Sequence, residues 1–349
     1  MKTVTITPDK ENRERASAFF VAYEVESALL PSQFNSELML GDDADRKCRF
    51  CGKAKPETTF KKKAHLIPQF LGNKFFLSAF ECDKCNHTFG TLYEDSLAAY
   101  IGAYRPFSGV KGSKANRFPK HKEQKKLNGI DVTRLMIEPT DSLVKIYHDA
   151  PFDDSVEIDK KGKRLTVHAK RNPYIPIYAY KALLKIALSM IQEDEIGNFR
   201  DCIRFLMDNS QNELLKGYPL CYIHVHQVHG WKMFLQPTAY LYRRKNDSTN
   251  QMVPAKTFVL YSGNHIYQIF LPFNQEDQHL IEQPARLNAY PLLFDKSVYE
   301  SGITYNSYWE LLDGHEKVYG ENQRLVFSFE EIICSVEGAN TKNGLDKSK

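Results

Sequence analysis

The sequence predicts an α+β protein: a small cysteine-bracketed module followed by a larger mixed region. Three observations carry that reading. Cys48-Arg-Phe-Cys51 and Cys82-Asp-Lys-Cys85 are two C-x2-C pairs with 30 residues between them. Runs at 221–228, 232–243, 256–262 and 266–272 read as strands by their alternation and β-branched content. Helical patterns are few and fall in no strand–helix–strand rhythm, which argues against a parallel α/β sheet.

Taken in order, "TVTI" at 3–6 reads as a short strand, and residues 10–30 as an amphipathic helix with Phe19, Phe20, Tyr23 and Leu29 or Leu30 on one face. "GDDADRK" at 41–47 is a polar loop into the first cysteines. "HTFGTLYEDSLAAY" reads as a helix with Phe89, Leu92 or Tyr93, Leu97 and Tyr100 on its apolar face. Residues 105–129 are rich in Gly, Pro and Lys, as in an exposed basic linker. "SVEIDKKGKRLTVHAK" at 155–170 reads as a hairpin, Val156 and Ile158 facing Leu165 and Val167. Residues 174–191 form a helical pattern with Pro176 in its first turn, Ile177, Leu184, Leu188 and Ile191 along one face, and Lys181 and Lys185 off it. A second helix is expected near 195–208. The resulting organisation is an N-terminal helical segment (1–40), a cysteine-bracketed domain (41–105), a basic linker (106–130), an α+β domain (131–338) and a disordered tail (339–349).

Composition narrows the class. A 42% hydrophobic content suffices for a real core, and 22 Phe with 19 Tyr make that core aromatic. The net charge of +4 is small for 349 residues, but it is unevenly placed. Between Lys111 and Lys126 seven lysine and arginine side chains stand against Glu123 alone, so this stretch outweighs the net charge of the whole chain. The first residues lack the apolar core of a secretion signal, and no run approaches the ~18 apolar residues of a membrane helix. A soluble, intracellular, cytoplasmic protein is expected. An odd count of seven cysteines then argues for metal or free thiols over a disulfide framework.

Each C-x2-C pair makes a knuckle whose two sulfurs can face one ion, and two knuckles complete a tetrahedral Zn2+ site from Cys48, Cys51, Cys82 and Cys85. Four thiolates leave no open position, so such a zinc is structural. Cys202, Cys221 and Cys334 read as ordinary buried thiols. "HVHQVHG" puts His224 and His226 on one face of a strand with His229 beyond, but nothing nearby completes a metal set. An edge or ligand-facing strand is the plainer reading.

Between the knuckles lies "KKKAHLIPQFLGNKFF", and Asn86 directly follows the fourth cysteine. A histidine between Ala64 and Leu66 is more often packed core than catalyst; its frame decides otherwise. The order C-x2-C, H-x-I-P-x3-G-N, C-x2-C-N-x2-F-G-x3-E resembles the HNH endonucleases, specifically the zinc-bracketed members of the ββα-metal group, over about residues 46–100. The resemblance implies His65 as the general base that deprotonates water, Asn86 as a contributor to a catalytic divalent metal (Mg2+ or Mn2+), and Asn73 as the brace of the intervening loop. Many family members carry Asp or Glu before the motif histidine; here that residue is Ala64. His87 is the candidate to replace it. Glu94, eight residues past Asn86, lies ~12 Å along a regular helix and reads as a supporting or packing residue. Lys61, Lys62, Lys63, Lys111, Lys114, Arg117 and Lys120 become candidate phosphate contacts.

The function expected is a metal-dependent DNA endonuclease, a hydrolase of phosphodiester bonds. Its C-terminal domain would serve sensing, specificity or oligomerisation, and an anti-phage defence role with homo-oligomer or defence-system partners fits this layout. The reading from another class is a non-catalytic zinc module that binds nucleic acid or protein, and Ala64 is the feature that keeps it open.

Overall fold

A computed structural model describes residues 10–31, 36–41, 46–112, 117–149, 154–209, 221–230, 232–246, 251–281, 284–293 and 304–334. The strand expected at 3–6, the tail at 339–349 and Lys114 lie outside the described residues. The chain is mixed α+β. In order it forms α1 (Lys10–Ala22), β1 (Tyr23–Leu29), β2 (Leu38–Leu40), β3 (Ala64–His65), β4 (Phe76–Ser78), α2 (Asp83–Thr88) and α3 (Asp95–Ile101). The next elements are β5 (His121–Leu127), β6 (Ile130–Pro139), β7 (Val144–Tyr147), β8 (Val156–Asp159) and β9 (Arg164–Lys170). Then come α4 (Pro176–Met190), α5 (Arg200–Met207), β10 (Tyr222–His229), β11 (Phe234–Arg244), β12 (Lys256–Gly263), β13 (His265–Phe270), β14 (Thr304–Leu311) and β15 (Asn322–Ser328).

The largest sheet has six strands in the order β1-β11-β12-β13-β10-β14, and its pairings are antiparallel. The four alternating runs of the C-terminal half supply its centre. The N-terminal pattern differs from expectation: the helix stops at Ala22, and Tyr23–Leu29 is a strand paired with β11 from Tyr23↔Arg244 to Leu29↔Ala239. A helical stripe and a short alternating run overlap in these residues, and the free edge of β11 decides for the strand. The hairpin β8–β9 forms in the expected register, Val156↔Val167 and Ile158↔Leu165, and β15 joins its other side.

The described residues of the stretch read as a basic linker carry regular structure. Buried 3-10 turns occupy Gly102–Ser108, and β5, β6 and β7 make a three-stranded antiparallel sheet. Asn128-Gly129 turns β5 into β6 with Leu127 opposite Ile130, both turn residues at positive φ (50° and 82°). That dipeptide is a hairpin signal, overlooked because the flanking lysines dominate the composition.

Helix α4 is buried on every side, including Lys181 and Lys185, which the expected amphipathic face had left outside. One apolar core runs through α4, the cysteine-bracketed segment and the inner strands of the large sheet. Arg49, beside the first knuckle, donates to the carbonyls of Leu188 and Ile191 at 2.9 Å and closes the carboxyl end of α4, its guanidinium 3.8 Å over the Phe80 ring.

Candidate active site and metal centre

The four cysteines meet. All four Sγ atoms of Cys48, Cys51, Cys82 and Cys85 lie within 4.8 Å of one another, and Cys51 and Cys82 are 3.8 Å apart. A tetrahedral zinc with Zn–S bonds of about 2.3 Å has sulfur–sulfur edges of about 3.8 Å, so the donor set fits that ion. The first knuckle turns through Gly52, whose N–H donates to Cys48 O at 2.8 Å with φ +72°; the second is the start of α2, where Asn86 N–H reaches Cys82 O at 2.9 Å. A hydrogen bond from Cys85 holds the Cys48 thiol down to about 5, and Cys85 is pushed up in return. Burial with the charge of Cys48 pushes Cys51 up to about 11. Four thiols this close do not ionise together unless a cation lies among them.

The zinc-framed segment folds as two strands and a helix. β3 pairs antiparallel with β4 at Ala64↔Ser78 and His65↔Leu77, and β2 lies parallel on the other side of β4. The loop between β3 and β4 is organised by Asn73, which is 2% exposed. Its amide donates to Ile67 O at 2.6 Å and Phe76 O at 2.8 Å, and its carbonyl accepts from Phe75 N–H at 3.0 Å and Phe76 N–H at 2.9 Å. Gly72 before it sits at φ +98°, where a Cβ would come within 2.6 Å of Leu235 O. Glycine is required there on both counts.

His65 ends β3 half-buried. Its Nε2 lies 2.7 Å from the Gln69 amide, while its buried Nδ1 has no partner among the described residues. Burial, then the Lys185 charge, lowers its pKa below the ordinary histidine value, against a raising influence from Glu37. Both lowering influences favour the neutral ring. Asn86 is half-buried on α2, and its side chain makes no hydrogen bond among the described residues. Residues 48–99 match the family model of the HNH endonucleases. No curated protein and no solved structure matches the chain.

In this HNH segment the helix after the fourth cysteine is not regular. A π-helical stretch, Phe89–Glu94, separates α2 from α3, so Glu94 is displaced in face from its α-helical position. Burial raises its carboxyl pKa, partly offset by Lys185. Helix α2 begins at Asp83, so His87 lies inside it immediately after Asn86. Consecutive helical residues point in different directions, and the pair does not grip one ion. Ala64 is buried and offers no ligand. Among the described residues the four cysteines are the one group of three or more His, Cys, Asp or Glu that can hold a metal. Of the donors expected for a Mg2+ or Mn2+ ion, Asn86 is the one that remains, so the rest of the shell would fall to substrate phosphate and water.

The basic candidates divide. Lys61 and Lys62 are exposed, their backbone N–H groups donating to the Asp83 carboxylate at 3.0 and 2.8 Å, and Lys63 pairs with Glu37 at 2.7 Å. Lys111 pairs with Asp141 at 2.8 Å and Lys120 with Glu138 at 2.6 Å, which neutralises part of that cluster; Arg117 is exposed. The histidines of β10 lie on an interior strand between β13 and β14, not at an edge, and all are buried. Cys334 is exposed, contrary to expectation, while Cys202 and Cys221 are buried. Sequence reasoning missed Gln69 and Lys185. Gln69 stands four residues after His65, a spacing that signals nothing outside a helix; Lys185 comes from 120 residues away and carries no local signal.

Proposed function

We propose that the protein is an HNH-type endonuclease that hydrolyses phosphodiester bonds in DNA, with His65 as the general base. The observation that supports it best is the ring environment of His65. A neutral imidazole has one nitrogen held by Gln69 and the other unpartnered, inside a zinc-framed ββα unit. An amide's oxygen and nitrogen exchange on a half-turn, so Gln69 can accept from Nε2–H. That tautomer leaves the Nδ1 lone pair unpartnered; once substrate binding admits water to it, Nδ1 would take the proton as that water attacks phosphorus. Asn73 holds the loop that follows His65, and the zinc ties both ends of the segment together. The exposed Lys61 and Lys62 beside β3, with Lys63, Lys111, Arg117 and Lys120, would meet phosphates without reading sequence. Hydrolysis with a Mg2+ or Mn2+ requirement is part of this proposal, with Asn86 as the chain's donor and substrate phosphate and water as the others. A cytoplasmic anti-phage role, with the C-terminal half sensing or assembling, belongs to the same reading.

The buried Ala64 and the diverging Asn86 and His87 favour a second reading, a zinc module that binds nucleic acid without cutting it. Plasmid digestion separates the two. The wild type is expected to nick with Mg2+ or Mn2+, to stop with EDTA, and His65→Ala is expected to lose at least ~100-fold in rate. Equal nicking by both proteins refutes the assignment of His65, and binding without nicking under any metal selects the second reading.

A further inference from the structure

The nuclease-like segment is held by a cation it does not itself contain. Lys185 lies on α4, its side chain 2% exposed, and its Nζ is 2.8 Å from His65 O, 3.5 Å from Leu66 O and 2.9 Å from Glu81 Oε2. Three acceptors face an ammonium with three N–H donors. The Glu81 side chain is wholly buried and adjoins Cys82 of the second knuckle. On the other side, β3 is two residues long, so the ladder gives the His65 backbone little support of its own. Helix α4 is enclosed throughout, so Lys185 is a fixed post rather than a mobile surface group.

We infer that Lys185 is a positioning residue for His65. It clamps the histidine's backbone against the second knuckle, making α4 the link between the C-terminal half and the candidate nuclease centre. This rests on the reading of His65 as the base. The groups that face His65 are Lys185 from α4, Lys63 before β3, Glu37 before β2 and Gln69 after it. Burial and the two lysines favour the neutral ring; Glu37 opposes them. Lys185 also acts on Glu81 and Glu94.

Lys185→Met alone strands the Glu81 carboxylate in the core and risks misfolding. The paired variant Glu81→Leu/Lys185→Met removes both ions and keeps the volume apolar, an exchange that buried pairs often tolerate. The full-length paired variant is compared with the wild type by zinc content, by nicking rate against substrate and pH, and by 15N NMR titration of the His65 ring, its signal assigned through His65→Ala. The expected result is one zinc per chain, kcat lower by roughly tenfold with KM within about twofold, and a His65 titration midpoint moved upward. A kcat unchanged in the zinc-loaded paired variant, with an unmoved midpoint, overturns the inference; a merely structural Lys185 would leave both in place once the zinc is bound. If the wild type does not nick while the midpoint still rises, the nuclease reading fails and the hold of Lys185 on His65 is upheld.

Discussion

Acid should unfold this protein sooner than its carboxylates alone would, and four buried histidines set the size of the effect. His224, His226, His229 and His265 are each at most 6% exposed. Burial drives their pKa values to about 2, 4, 4 and 3, helped by His226 and Arg15 around His224, Arg15 near His226, Arg324 and Arg164 near His229, and Arg171 and His229 near His265. The hydrogen bond to Tyr290 O, at 2.7 Å, works the other way for His226 without reversing the shift. Unfolded histidines titrate near 6.5, so the unfolded chain takes up these protons first. Stability is therefore fully present above about 6.5 and falls as pH drops toward the folded values. Between pH 7 and pH 5 each histidine loses about 1.9 kcal/mol, or about 7 kcal/mol for the four. The raised carboxyls oppose this: burial lifts Glu81 to about 7, and Glu26, Glu94 and Asp277 are raised as well. Glu81 returns about 2 kcal/mol and the other three act in the same direction, so the net loss is at most about 5 kcal/mol against a typical total of 5–15. Urea unfolding at pH 7, 6 and 5 measures it, with fluorescence from Trp309, whose ring lies 4.7 Å from His224, as the local signal. The variant His224→Gln/His226→Gln should lose about half the histidine contribution to the pH slope. A wild type equally stable at pH 7 and pH 5, or a paired variant with the wild-type slope, refutes the reasoning.

Two further outcomes are expected. Asn73→Ala breaks four hydrogen bonds at a buried site and strands Ile67 O with the N–H groups of Phe75 and Phe76, so denaturation should show a loss of about 3 kcal/mol; Asn73→Asp, which keeps the acceptor, should lose less. Chelation of the metal should release close to one zinc per chain by colorimetric assay and melt the segment from Cys48 to Ile101 first, as protease sensitivity would report; resistance to cleavage after zinc loss would count against a structural role.

The readability of this sequence followed the range of the interactions. The knuckles and the Asn73 brace lie within short stretches, because chelation and loop bracing need residues at fixed local spacing. The strands of the large sheet were visible through alternation, and α4 through its length. What stayed hidden was non-local or overruled by context. Residues 23–29 fit a helical stripe until β11 offers them a ladder, and the Lys-rich 121–127 looks like solvated chain until Asn128-Gly129 folds it back. The π-helical stretch at 89–94 altered the face of Glu94, which a regular helix could not foretell. Lys181 and Lys185 read as surface because lysines seldom lie in a core; each is matched there by acceptors or rings that only the tertiary fold assembles.

Those misread lysines bear on how the segment and the C-terminal half act together. A closed zinc site gives a small module part of its folding free energy, but it cannot stabilise a module whose buried polar groups find their partners elsewhere. Here Glu81 pairs with Lys185, Tyr93 donates to Leu206 O, and Arg49 caps the carbonyls of Leu188 and Ile191. Each contact joins the HNH segment to α4, the chain just after it, or α5, and the apolar core is continuous across the same boundary. Separating the two would leave a carboxylate, a guanidinium and a phenol to be resolvated, while exposing Phe89, Tyr93 and Leu97 on one side and most of α4 on the other. A shift of α4 would therefore be felt both at His65 O, 2.8 Å from Lys185, and at the zinc knuckles, through Arg49 and Glu81. The contact between the C-terminal half and the candidate base therefore runs through α4, a helix buried at every residue but Tyr178.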